Sequence, residues 1–141
     1  MEEWIADRVR QYYWREERNC AITSLLVLAE RYNIALDEQV LQGAIALNGA
    51  GRFGAQCGLV EGPLVFMGIY GSRLGLGKEE IIGVCRAFSQ RVEESFGSLL
   101  CRELRPAGFK ADNPPHLCEA LTCRIIALAL ESAAELKLNE M

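Results

Sequence analysis

The side chains in this sequence best suited to chemistry are its six cysteines, at positions 20, 57, 85, 101, 118 and 123. No two are spaced as C-x-x-C, which argues against a thioredoxin-type active site, a zinc ribbon or a local ferredoxin run. Cysteines that act together here must therefore be gathered by the fold. Cys20, Cys57 and Cys101 each fall beside a predicted helix start or a glycine loop. Backbone N–H groups and the positive end of a helix dipole favour thiolate in such places. Arg18, Arg52, Arg102 and Arg124 lie near cysteines in sequence and would lower thiol pKa values further if they point the right way. The opposing reading is that a free cysteine is a small hydrophobe, which suits Cys85 at the centre of a core stripe.

Other chemistry has less support. His116 is the only histidine; in a proline-rich loop it reads as an exposed residue, with replacement of a thiolate on zinc or iron as the alternative. Glu61 lies within an apolar segment, where a carboxylate is costly unless paired, so it should reach the surface or face an arginine. With one histidine, no G-x-S-x-G and no acid–base carboxylate pair, hydrolysis has little support. The GAGRFG loop lacks a Walker lysine and follows a helix instead of a strand, which argues against nucleotide binding.

The elements that must position these groups are all helical. Residues 2–16 carry Trp4, Ile5, Arg8, Val9, Tyr12 and Tyr13 at helical spacing. Asn19 is a good N-cap, making Cys20 the first residue of a second helix with the stripe Ile22, Leu25, Leu26, Ala29 and Tyr32. A third helix should start near Asp37 and bury Val40, Leu41, Ala44 and Ile45. The central helix is expected over about residues 54–70, apolar on most sides and surrounded by the others. In it Gly54, Gly58 and Gly62 recur every fourth residue and would leave one bare face for close approach of another backbone at the site. Pro63 predicts a kink or a restart of that helix. A further helix carries Ile81, Cys85, Phe88, Val92 and Phe96 and stops at Gly97. Residues 98–104 suit a short turn with Cys101, and 105–115 a loop ending in Asn113, Pro114 and Pro115, an N-cap followed by proline at a helix start. The last helix runs to about Leu136, with Cys118, Leu121, Ile125 and Leu128 on one stripe and Cys123, Ala127, Leu130 and Ala134 on another. No convincing strand appears. The fold class is all-α, a single-domain bundle (1–141) of about five to six helices around a glycine-rich apolar centre.

Composition narrows the partners. Half of the 141 residues are apolar, a quarter are charged and the net charge is −4, with no basic run for phosphate contacts, so no nucleic acid is expected. The N-terminus has no signal-peptide h-region and residues 59–70 are too short to span a bilayer, so a cytoplasmic protein with no membrane partner is expected. In that reducing compartment six cysteines suit thiols, metal ligands or redox groups better than structural disulfides. Trp4, Tyr12, Tyr13 and Trp14 could supply a homodimer face or simply core bodies.

Four segments together resemble a known family: GRFGAQCGLVEG around Cys57, NCA at Asn19 to Ala21, FGSLLCREL at Phe96 to Leu104, and a last cysteine entering a C-terminal helix. The chain is similar, over about residues 18–135, to the redox-active family named for its C…GCAxxG…C…C signature. The resemblance implies a helical domain with four signature cysteines, often linked to oxidoreductase or transporter genes. Carried over, these are Cys20, Cys57, Cys101 and Cys123, with Cys118 as the alternative to Cys123. Five residues apart on a helix, Cys118 and Cys123 cannot both point at one site. The chain departs from the family pattern at Leu59, where alanine is usual, at Glu61, where a small or hydroxyl residue is expected, and at Pro63. Those departures bear on how closely helices pack over Cys57.

The expected function is a cysteine-based redox protein. Four thiolates converging on one site would hold an iron–sulfur cluster and pass electrons to a redox partner. The alternatives are a metal-free thiol–disulfide oxidoreductase or redox sensor, and a zinc-stabilised interaction module.

Overall fold

The computed structural model describes residues 1–105 and 116–139 and is all-α. The expected cap at Asn113 and the two prolines after it lie outside the described residues. Helix α1 (Glu2–Arg10) runs into a π-helical turn (Gln11–Arg15), and α2 (Cys20–Arg31) follows. Asn19 caps α2 by accepting the Ile22 N–H, so Cys20 is its first residue, as its sequence indicated. Helix α3 (Glu38–Gly43) is shorter than expected; Leu41 and Ala44 are buried, whereas Ile45 is 62% exposed.

The largest difference from expectation concerns the glycine loop. Residues 49–52 form a short turn, α4 (Gly49–Arg52), with left-handed backbone at Gly49, Ala50, Gly51 and Arg52, and Gly54 is left-handed again at φ +89°. The carbonyl of Gly49 accepts the N–H groups of Phe53, Gly54 and Ala55, which closes the loop on itself. Helix α5 (Gly58–Arg73) therefore begins only after Cys57, and Gly54 is not part of its bare face. Cys57 is the N-cap of α5 instead of a residue within it. Pro63 neither breaks nor restarts the helix, which continues through it to Arg73.

Helix α6 (Lys78–Phe96) ends at Gly97, whose φ of +89° is the left-handed C-terminal cap that glycine permits. The short α7 (Cys101–Leu104) and the long α8 (Glu119–Asn139) complete the chain. The buried residues of α8 are Thr122, Ile125, Ile126, Ala129, Ser132, Ala133 and Leu136, so that of the two expected stripes only Ile125 is buried.

Helix α5 is surrounded, as its apolar sequence requires, by α2, α6 and α8, and its most extensive packing is against α2. Gly62 explains that closeness. A Cβ there would lie 2.4 Å from the Ala21 carbonyl oxygen, so only glycine allows the two backbones to meet. Phe66, Met67, Leu25, Leu28, Phe88 and Ile125 fill the core between these helices. Each such side chain stabilises the fold by roughly 1.5–3 kcal/mol through burial. A second apolar cluster, Ile5, Val9, Tyr12, Tyr13, Val27 and Ile126, ties α1 and the π turn to α2 and α8. Tyr12 and Tyr13 are thus core side chains and contribute nothing to an outer aromatic face, while Trp14 is 53% exposed. No helix among the described residues is long and apolar enough to cross a membrane.

Candidate thiol site

Cys57 and Cys101 are fixed by a small antiparallel bridge between Gln56 and Leu100. The Cys57 N–H donates to the Leu99 carbonyl at 2.9 Å, and the Cys101 N–H to the Ala55 carbonyl at 2.7 Å. Residues 57 and 101 are therefore diagonal neighbours on the same side of the bridge, with backbones roughly 7–8 Å apart. That separation is at or beyond the limit for joining two cysteines without backbone movement.

Cys20 reaches the site from the first turn of α2. Its sulfur rests on Gly58, where a Cβ would come within 2.4 Å of the Cys20 Sγ, 2.9 Å of the Ala21 nitrogen and 3.0 Å of the Leu47 carbonyl oxygen. Gly49 does the same for Cys101: its φ is +82°, and a Cβ would stand 3.2 Å from the Cys101 Cβ and 3.4 Å from its Sγ. Gly58 thus makes the close approach expected of it. Gly62 opens the α2–α5 contact behind it, and Gly54 acts only through the loop backbone, accepting the Arg102 N–H at 3.2 Å.

The fourth cysteine in this neighbourhood is Cys118, in the turn before α8. Charge on Cys101 is felt at Cys118, and charges on both are felt at Cys20 and Cys57. Cys123, favoured by the sequence pattern, faces elsewhere. It lines a cavity of about 530 Å³ with Glu2, Ile5, Phe96 and Arg124, and the charged groups that act on it are Glu119 and Arg10. The helical offset between positions 118 and 123 sends them to different surroundings, as their spacing requires. Cys85 is partly buried on α6, with its thiol 4.0 Å from the Met67 sulfur, and takes no part.

Burial governs the electrostatics. It pushes the Cys20 thiol up to about 12, with the charges of Cys101 and Cys118 adding to the effect. Burial also raises Cys57, then the charge of Cys20; the Leu59 N–H, 3.4 Å from the Cys57 sulfur, offsets only part of this. Cys101 and Cys118 are raised by burial too, and Arg105 opposes the rise at both. The expectation that helix starts and nearby arginines would depress these thiols is overturned, because desolvation outweighs the N–H groups. The expected arginines do not act on the four: Arg18 pairs with Glu16 at 3.5 Å and Arg124 lies over the Phe96 ring at 4.8 Å. Arg105 is the cation that matters, and its i, i+4 spacing from Cys101 across the short α7 was the signal for it.

Glu61 is half-buried, so it partly reaches solvent, and it accepts a hydrogen bond from the Gln56 side-chain amide; among the described residues it makes no ion pair. His116 is not a free loop residue. Its ring stacks on Tyr13 at 4.5 Å and meets the edge of Trp14 at 4.8 Å. Tyr13 itself is a neighbour of the thiols. Burial raises its phenol first, and charges on Cys20, Cys118 and Cys57 add to that.

All six cysteines are free. Among the described residues no group of three or more His, Cys, Asp or Glu side chains is arranged to hold a metal ion. The four sulfurs are near enough to sense one another's charge, yet as arranged they do not fit a Cys₄ centre.

Residues 18–132 match the model of the family described as "Putative redox-active protein (C_GCAxxG_C_C)", and the chain belongs to that family. No curated protein and no solved structure was found to match it.

Proposed function

We propose that this member of a redox-active family works as a dithiol–disulfide protein, with Cys101 and Cys118 as the exchanging pair and Cys20 and Cys57 as an inner pair. The observation that carries this reading is the shared cation: Arg105 acts on Cys101 and Cys118 and on no other cysteine. Burial raises the Cys101 thiol and Arg105 opposes that rise, and Cys101 is taken as the attacking thiol. Its thiolate attacks one sulfur of a partner disulfide, forming a mixed disulfide and releasing the partner's first thiol. Cys118 then gives up its proton to solvent or base and attacks the Cys101 sulfur. The Cys101–Cys118 disulfide forms, the second partner thiol leaves, and two electrons have passed to the partner.

An electron-transfer role through an iron–sulfur cluster, or a zinc-stabilised module, remains as a second reading. One observation favours it: Cys20, Cys57 and Cys118 are each raised by the charge of neighbouring thiols, a repulsion that a bound cation would offset. The sulfurs would have to draw closer than they stand.

The test is to incubate reduced protein, freed of metal, with oxidised glutathione. The proposal predicts loss of two thiols per chain with release of two equivalents of reduced glutathione, abolished in Cys101→Ser. A brown or zinc-loaded protein from anaerobic purification, whose thiols do not react with oxidised glutathione once the metal is removed, would overturn it in favour of the metal reading.

A further inference from the structure

The turn that carries Cys118 is tied to a distant part of the chain. Tyr13, in the π-helical turn, is 2% exposed, and its hydroxyl lies 2.6 Å from the Thr122 Oγ1. The Thr122 hydroxyl donates its one proton to the Cys118 carbonyl at 2.9 Å. Tyr13 must then be the donor in the bond to Thr122, and the order Tyr13, Thr122, Cys118 has a fixed direction. The same carbonyl accepts the Thr122 N–H at 2.7 Å. Two residues before Cys118, His116 lies flat on the Tyr13 ring with 9° between the planes. One residue after it, Glu119 accepts the Trp14 indole N–H at 2.6 Å. His116 itself has a left-handed backbone, φ +57°, a strained state for histidine that neighbouring contacts must hold.

These contacts have a common source. Five residues, Gln11–Arg15, form a π turn in place of a regular α turn, and it is this turn that supplies both Tyr13 and Trp14. Such turns interrupt regular helices and often mark functional sites. Here the turn supplies three holds on residues 116–122, from more than a hundred positions earlier in the chain.

We propose that Tyr13 is a positioning residue for the thiol site, holding Cys118 within reach of Cys101 through Thr122 and through its stack on His116. The inference rests on the dithiol reading above. Tyr13 does not react; it sets how quickly the second thiol resolves the mixed disulfide.

Tyr13→Phe keeps the ring and the stack and removes the donor. Thr122→Val removes the link, and Thr122→Ser restores it. With oxidised glutathione, Tyr13→Phe and Thr122→Val should accumulate the Cys101–glutathione adduct, resolving about five- to tenfold more slowly, the scale of one net hydrogen bond. Thr122→Ser should resolve at the parent rate, which a merely structural contribution to folding does not predict. A second measurement is independent of exchange: the alkylation rate of Cys118 relative to Cys85 in the reduced protein should change several-fold in Tyr13→Phe and Thr122→Val. If the parent forms no Cys101–Cys118 disulfide but these rates change, the dithiol reading fails and the positioning role stands. Unchanged Cys118 alkylation in both variants overturns the positioning role, whatever the parent's redox behaviour.

Discussion

The packing of α2 on α5 can be tested with one substitution made at two places in one helix. Gly62 and Gly68 both lie within Gly58–Arg73. At Gly68 a Cβ would meet nothing within 4 Å. Gly68→Ala therefore gains only the helix preference of alanine, about 1 kcal/mol of stability. At Gly62 the same Cβ would sit 2.2 Å from the Ser24 Oγ and 2.4 Å from the Ala21 carbonyl oxygen. An ordinary carbon–oxygen contact is about 3.3 Å, so α2 would have to retreat by about 1 Å. Because Ala21 O is backbone, no rotamer change relieves the clash. The propensity gain is common to both variants and cancels in their difference, leaving the cost of overpacking, about 1–3 kcal/mol or more. Urea unfolding of both variants, read as the midpoint shift at equal m, measures that difference directly. Gly68→Ala should unfold at higher urea than the parent and Gly62→Ala at lower. Equal midpoints for the two variants would refute the close approach of α2 to α5, and with it the seating of Cys20 on Gly58.

Further expectations follow from the electrostatics. Cys20 is raised from 9.0 to about 12 in the folded protein, so the folded state holds its proton more tightly than the unfolded chain does. Its contribution to stability is complete below about pH 9 and is lost as the pH rises towards about 12; unfolding of reduced parent and Cys20→Ala should show the parent losing more stability over that window. Arg105→Gln should slow alkylation of Cys101 and Cys118 and leave Cys85 unchanged, because Arg105 opposes the rise at the first two alone; equal slowing at Cys85 would contradict this. Phe66→Ala should cost about 3–5 kcal/mol, because Phe66 is wholly buried and its ring packs on both Tyr32 and Tyr70.

Much of the fold was legible in residues of simple meaning. Asn19 before an apolar stripe and Gly97 after one marked helix ends, because a side-chain cap and a left-handed stop are local chemistry. The start of α5 was not legible in the same way. The spacing of Gly54, Gly58 and Gly62 suits a helix, but the left-handed run from Gly49 to Arg52 and the bridge at Gln56 hold the chain out of helix until Gly58. At the site, Cys20, Cys57 and Cys101 could be singled out by their helix starts. The choice between Cys118 and Cys123 could not, since the onset of α8 at Glu119 and the Tyr13–Thr122 bond that orients it are long-range facts. The direction of the thiol pKa shifts is hidden from the sequence for a related reason: helix starts and arginines are visible in sequence, whereas desolvation is a property of the packed whole.

The central claim, that Cys101 and Cys118 are the exchanging pair, is tested most directly by mapping disulfides after reaction of reduced, metal-free protein with oxidised glutathione. Digestion must cut between Cys118 and Cys123, as cleavage after Glu119 does. The account predicts a Cys101–Cys118 crosslinked peptide as the first product, with Cys85 and Cys123 still free. A first product that joins Cys123 to any of the others, or that leaves Cys101 and Cys118 unlinked while other cysteines pair, would contradict it.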